Sequence, residues 1–255
     1  MPIFHPNVSV EIHFHRLERR LLLSPEAGEV HDKAIYLYLF DCDQGHCLPP
    51  HAYSGLTADE WQRAARFRFD RDRHRFILVR SVLRCLLARC LGIAPGEVRL
   101  TCNAWGKPLL CGMKDGEGLA FNVSHTQRLA CIALVLGCRI GVDVERIRPV
   151  CEYAEIAQSF FTAREFDALK ACDAAEQQAF FFSLWSRKEA FLKAAGQGLS
   201  RALASFDLPP VVALPPLGAH QAVHVHAAPL SRPMLVSFTP EPGVAGALVA
   251  IRTRA

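Results

Sequence analysis

The sequence predicts an α+β protein made of two similar α/β halves with a functional site at their junction. Three observations support this. Strands and helices alternate in blocks: a strand, helices, strands, then helices and strands again. Each half has a long helix stopped by glycine, Arg80 to Gly92 and Trp185 to Gly196, with β structure after it. No low-complexity stretch or flexible linker interrupts the chain. The expected division is an N-terminal half at 33–138 and a C-terminal half at 139–255. Residues 1–32 form an extension of mixed character with no assignment.

Taken in order, Ala34 to Phe40 is aromatic and β-branched and ends in Asp-Cys-Asp-Gln-Gly, so it reads as a buried strand and a turn. Thr57-Ala-Asp-Glu60 is a capping-box pattern that opens a helix carrying Trp61 and Arg63. Asp70 or Asp72 begins a second helix. Its Phe76, Val79, Leu83, Leu86, Leu87 and Leu91 fall at helical spacing, and Gly92 stops it. Short strands follow near 97–102, 118–124, 129–136 and 140–145, and helices dominate from about 152 to 195. Pro209-Pro210 and Pro215-Pro216 break the chain ahead of strands near 222–227, 233–239 and 245–251.

Composition excludes several classes. The 255 residues are 51% hydrophobic and 21% charged, an ordinary globular balance with length enough for a real core. The longest apolar run, Leu129 to Leu136, is far too short to cross a bilayer, and no signal peptide opens the chain, so a cytoplasmic protein is expected. None of the ten cysteines forms a C-x-x-C pair, which favours reduced core thiols over a disulfide framework or zinc site. His13/His15 and His224/His226 would each share a face in a strand, but no third ligand accompanies either pair. The net charge of +4 is concentrated between Glu60 and Arg84, where eight arginines face three acids. A basic patch of this kind implies an anionic partner.

Two segments carry the chemistry. In Gly141-Val142-Asp143-Val144-Glu145 the two acids stand two residues apart, so a strand projects both from one face, opposite Ile140, Val142 and Val144. Paired carboxylates repel unless a cation joins them. Mg²⁺ suits because it takes few protein oxygens and leaves positions for phosphate. The bland alternative is a solvated acidic strand edge. In Trp185-Ser186-Arg187-Lys188-Glu189-Ala190-Phe191-Leu192-Lys193, Glu189 and Lys193 share a helical face with Lys188 beside them. Here the alternative is a surface Glu–Lys pair. Against it, Trp185 and Phe180 to Phe182 embed the segment, and Gly196 and Gly198 end it sharply. Buried charges need partners, which a metal and a phosphate would supply.

Trp105-Gly106-Lys107-Pro108 reads as a tight turn presenting a lysine and backbone amides, and Phe121-Asn122-Val123-Ser124-His125-Thr126 ends a strand with polar groups suited to a phosphate. No G-x-S-x-G elbow surrounds Ser124, which leaves a hydrolase reading without support.

These motifs, with Phe160-Phe161 and Glu165 between the last two, stand in the order and spacing found in 4′-phosphopantetheinyl transferases. The chain resembles the larger, pseudo-dimeric type that activates peptide and polyketide synthases, over roughly residues 34 to 250. The resemblance implies transfer of the 4′-phosphopantetheine arm of coenzyme A to a serine of an apo acyl or peptidyl carrier protein. Adenosine 3′,5′-bisphosphate would be released. It implies Mg²⁺, with Mn²⁺ as an alternative, held by Asp143, Glu145 and Glu189. Lys188 and Lys193 would contact the phosphates, with Asp143 on the same ligand. Lys107 would line the adenine side, Asn122, Ser124 and His125 would meet the nucleotide phosphates, and Arg63 and Arg75 would sit near the 3′-phosphate. Glu189, Glu165 or a water on the metal could take the serine proton. Glu60 falls where some relatives carry a second basic residue, which puts the mode of 3′-phosphate binding in question. The resemblance further implies a monomer that binds neither nucleic acid nor membrane.

Two rivals remain from the residues themselves. The stretch from Arg63 to Arg84, interleaved with aromatic residues, could instead bind nucleic acid. Alternatively, the chain could be a non-catalytic carrier-protein binder on the same fold.

Overall fold

The computed structural model describes residues 8–17, 34–42, 53, 55–196, 202–208, 211–213, 220–227 and 233–252. The strands are β1 (Val8–Arg16), β2 (Ala34–Asp41), β3 (Leu100–Cys102), β4 (Pro108–Leu110), β5 (Leu119–Thr126), β6 (Leu129–Leu136), β7 (Cys138–Arg146), β8 (Val211–Ala213), β9 (His220–Ala227), β10 (Met234–Phe238) and β11 (Val244–Arg252). The helices are α1 (Ala58–Ala65), α2 (Asp70–Leu91), α3 (Tyr153–Phe160), α4 (Ala163–Ala171) and α5 (Gln177–Ala195).

The local signals act as expected at the helix ends. The Thr57 side chain accepts from the Glu60 amide while the Glu60 carboxylate accepts from the Thr57 amide, which satisfies two of the orphan donors at the start of α1. Both long helices stop on a left-handed glycine, Gly92 at φ 67° and Gly196 at φ 70°. That conformation carries no steric cost only without a Cβ.

The elements stack in four layers. A five-stranded sheet in the order β5-β6-β2-β1-β9 faces a four-stranded sheet in the order β7-β11-β10-β8. Ile12, Phe14, Leu37 and Ala133 from the first meet Val142, Val236 and Leu248 from the second to form the central core. The outer face of the first sheet packs Tyr36, Tyr38 and Phe40 against Val79, Leu83 and Leu87 of α2. The outer face of the second packs Leu235, Ala247 and Val249 against Ala190 and Ala194 of α5. A short antiparallel pair, β3-β4, stands apart. The architecture is thus mixed α and β.

Where the sequence assigns nothing to residues 1–32, β1 pairs parallel with β2 and antiparallel with β9. Its strict alternation buries Val10, Ile12 and Phe14, while His13 and His15 stack on Tyr36 and Tyr38 with ring centroids 4.7 and 5.1 Å apart. Gly198, both Pro-Pro breaks and the side chains of His224 and His226 lie outside the described residues. Among the described residues, no helix is long and apolar enough to cross a membrane.

The two sheets meet along one edge through side chains. Asn122 Oδ1 accepts from the Val142 amide at 2.9 Å, Ser124 Oγ from the Val144 amide at 3.3 Å, and Thr126 Oγ1 from the Arg146 amide at 3.1 Å. Every second residue of β5 thus satisfies every second amide of β7, because side chains and amides each alternate along a strand and a buried amide needs an acceptor.

Candidate functional site

Strand β7 sends Val142 and Val144 into the core between the sheets, so the alternate residues Gly141, Asp143 and Glu145 share the opposite face. Helix α5 packs along that face, and Lys193 in its last turn reaches back to the strand. Its Nζ donates to Asp143 Oδ1 at 2.7 Å, to Ser124 Oγ at 3.2 Å and to the Val142 carbonyl at 3.2 Å. Ser124 Oγ also donates to Asp143 Oδ1 at 2.9 Å. Asp143 is only 4% exposed, and its second oxygen, Oδ2, is buried with no hydrogen-bond partner.

Glu145 and Glu189 lie within electrostatic reach of Asp143. Burial first, then the neighbouring Asp143 charge, pushes the Glu145 carboxyl up to about 7; Lys193 and Arg148 offset part of this. Burial and Asp143 push Glu189 up as well. Oxygen donors that repel one another beside a lone buried carboxylate oxygen suit a hard divalent cation. Among the described residues, no three Asp, Glu, His or Cys side chains stand close enough together to hold a metal ion as they are placed, and Lys193 sits on the first Asp143 oxygen. His125, next to Ser124, is exposed on one side and is held below the usual histidine range by partial desolvation, then by the charges of Lys193 and Arg75. Arg75 in turn pairs with Asp72 at 3.5 Å in the first turn of α2.

Other expected site residues stand elsewhere. Lys188 is fully buried: its Nζ donates to the carbonyls of Leu203 at 2.8 Å and Phe206 at 2.9 Å, pairs with Glu165 at 2.8 Å, and lies 4.5 Å from the Phe206 ring centroid. The physical reason is helical phase. Five residues of α-helix turn by roughly 140° relative to the starting face, so Lys188 and Lys193 cannot share one flank. Glu165, expected as a possible base, is held in the capping box of α4 and by Lys188, and does not join Asp143.

Lys107 is also engaged, with its Nζ on Asp115 at 2.9 Å. Its turn is fastened by Asn103, whose Oδ1 accepts from the Trp105 and Lys107 amides and whose Nδ2 donates to the Gly196 carbonyl at 2.8 Å. Asn122 serves the β5–β7 seam described above. Arg63 lies over the Phe76 ring at 5.4 Å and lines an open cavity of about 980 Å³, together with Arg80, Arg84 and Arg99. Glu60 lines the same cavity and pairs with Arg84 at 2.7 Å and Arg80 at 3.3 Å, so it neutralises neighbouring arginines. Sequence reasoning missed Asn103 and Asp115, and it read Thr126 as a phosphate-facing group and not as part of the seam. Only Thr126 left a signal, as the third polar residue in the alternation of Asn122 and Ser124.

Comparison with known proteins identifies the family. The profile of the 4′-phosphopantetheinyl transferase superfamily matches residues 139–230, and that of the 4′-phosphopantetheinyl transferase N-terminal region matches residues 50–136. The 4′-phosphopantetheinyl transferase HetI of Nostoc sp. is 36% identical over 66% of this chain and 70% of its own length. The chain belongs to the 4′-phosphopantetheinyl transferase superfamily. The 4′-phosphopantetheinyl transferase Sfp of Bacillus subtilis is 33% identical, over 61% of this chain and 66% of its own. The human L-aminoadipate-semialdehyde dehydrogenase-phosphopantetheinyl transferase is 30% identical, over 68% of this chain and 60% of its own. In this phosphopantetheinyl transferase the two matched segments divide at the β6–β7 turn. The bond from Ser124 to Asp143 and the contact from Lys193 to Ser124 therefore join one matched segment to the other.

Proposed function

We propose that the protein transfers the 4′-phosphopantetheine arm of coenzyme A to a serine hydroxyl of an apo acyl or peptidyl carrier protein, with adenosine 3′,5′-bisphosphate as the leaving product. The observation that carries this reading is the Lys193–Asp143–Ser124 contact, with Glu145 and Glu189 beside it, at the seam between the two matched segments. The relatives named above are phosphopantetheinyl transferases, which supports the same reaction here. The reading includes two related halves, 33–138 and 139–255, with the reaction centre between them.

Phosphoryl transfer of this kind asks the protein for positioning and charge neutralisation more than for covalent chemistry. Asp143, Glu145 and Glu189 would hold a divalent cation such as Mg²⁺, for which the partnerless Asp143 Oδ2 is the supporting feature; when bound, the ion neutralises pyrophosphate charge. The Lys193 ammonium stabilises charge building on the leaving phosphate. Glu189 takes the proton from the serine Oγ as that oxygen bonds to the β-phosphorus and the bond to the leaving phosphate breaks. His125 and Arg75 border the phosphates. Arg63 and Arg99 face the 3′-phosphate from the cavity they line, while Glu60 is held by Arg80 and the buried Arg84. Lys188 and Glu165 anchor α5 from behind.

The test is to incubate the protein with coenzyme A, Mg²⁺ and a panel of apo carrier proteins, and weigh each carrier by intact mass spectrometry. A phosphopantetheinyl gain on at least one carrier is expected. No gain on any carrier, with tight salt-dependent binding to nucleic acid instead, would overturn the reading in favour of the basic-patch rival.

A further inference from the structure

We infer that Gly141 is a positioning residue, whose missing side chain sets the distance between the two walls of the reaction centre. The inference rests on the reading of Asp143, Glu145, Glu189 and Lys193 as that centre. Gly141 lies on the outward face of β7, two residues before Asp143 and four before Glu145, where α5 crosses the strand. A Cβ added there would collide with the Ala190 carbonyl oxygen and the Ala194 amide nitrogen, and would stand 3.0 Å from the Lys193 carbonyl carbon. All three obstacles are helix backbone, so no side-chain rotation relieves them, and the helix itself has to move.

Ala190 and Ala194 are both fully buried on the helical face that makes this approach, and Ala247 lies beside them on β11, directly opposite Asp143. Small residues on all sides bring the helix backbone onto the strand at one point. From that point Lys193 reaches up the strand to the Val142 carbonyl and Asp143. Glu189 precedes Ala190 on the same stretch. A helix lifted off Gly141 therefore carries Glu189 and Lys193 away from Asp143 and Glu145 together.

The experiment compares Gly141→Ala and Ala247→Val with wild type. Ala247→Val wedges the same helix more gently and serves if Gly141→Ala does not fold. Two readouts are taken well below each variant's melting temperature. The first is kcat per folded molecule against KM for the carrier, for which a loss of roughly 10²-fold in kcat with little change in KM is expected in Gly141→Ala. The second does not depend on activity: the coupling between Asp143→Asn and Lys193→Met in urea-unfolding midpoints, expected in the wild-type background and lost in the Gly141→Ala or Ala247→Val background. Lower stability with kcat and coupling both retained would overturn the inference, because simple packing loss predicts that result. If the wild type modifies no carrier, the proposed function fails, and the coupling readout alone still decides whether Gly141 sets the spacing.

Discussion

Lys193 Nζ lies 2.7 Å from Asp143 Oδ1, so a cation from the last turn of α5 and an anion from the edge strand β7 meet beside the seam of the two sheets. Asp143 is buried and Lys193 about a quarter exposed, so one partner is fixed and the other can be reached by a ligand. That asymmetry is what a phosphate-binding lysine requires.

Replacement of Lys193 by Met should therefore lower kcat by about 10²–10³-fold, the usual loss for one electrostatic donor at a developing charge. Single-turnover transfer followed by mass spectrometry checks this. A kcat within a factor of about two of wild type, far short of such a loss, would remove Lys193 from the reaction.

Lys188→Met separates anchoring from catalysis. It leaves the Glu165 carboxylate and the carbonyls of Leu203 and Phe206 without their buried partner. Breaking a buried pair from one side costs about 3–5 kcal/mol, so urea denaturation should show a large loss of stability. The rate per folded molecule should change much less than in Lys193→Met. The reverse pattern, intact stability with lost catalysis, would return Lys188 to the phosphates.

The seam between the sheets gives a prediction about stability alone. Asn122→Ala strips the Val142 amide of its acceptor in a buried position. An unsatisfied buried amide costs about 1–3 kcal/mol. The denaturation midpoint should fall accordingly, and an unchanged midpoint would show that the seam relaxes without loss.

His125, although exposed on one side, sets a pH dependence whose sign follows from its desolvation and its cationic neighbours. Its folded-state proton affinity is lowered, first by partial desolvation and then by Lys193 and Arg75. Between that lowered value and the unfolded value of about 6.5, the unfolded chain binds the extra proton. Stability therefore falls as pH drops through about 6.5 toward the lowered value, and this contribution is absent above that window. His125→Asn should flatten that part of the curve in urea titrations at several pH values. An identical curve in the variant would assign the acid sensitivity to other groups.

Much of the fold was legible because its signals are local. The capping box at Thr57 and Glu60, the glycine stops at Gly92 and Gly196, and the apolar β6 run each declare themselves within a few residues. Strand β1 was equally periodic but stands far in sequence from both of its partners, and alternation alone did not reveal them. In the site, Asp143 with Glu145 and Glu189 with Lys193 followed from strand and helix periods. The placement of Lys188 was implicit in the same helical phase, yet its partners at 203–206 come from a later segment that no spacing rule supplies. Lys107 is similar, since its partner Asp115 lies across a turn with no motif of its own.

The central claim is that Asp143 and its neighbours form the reaction centre of a phosphopantetheinyl transfer. The most direct measurement is single-turnover transfer by Asp143→Asn, on a carrier that the wild type modifies, with folding checked by circular dichroism. A folded protein with no detectable phosphopantetheinyl gain on the carrier over the wild-type time course is expected. Transfer by the folded variant at the wild-type rate would contradict it.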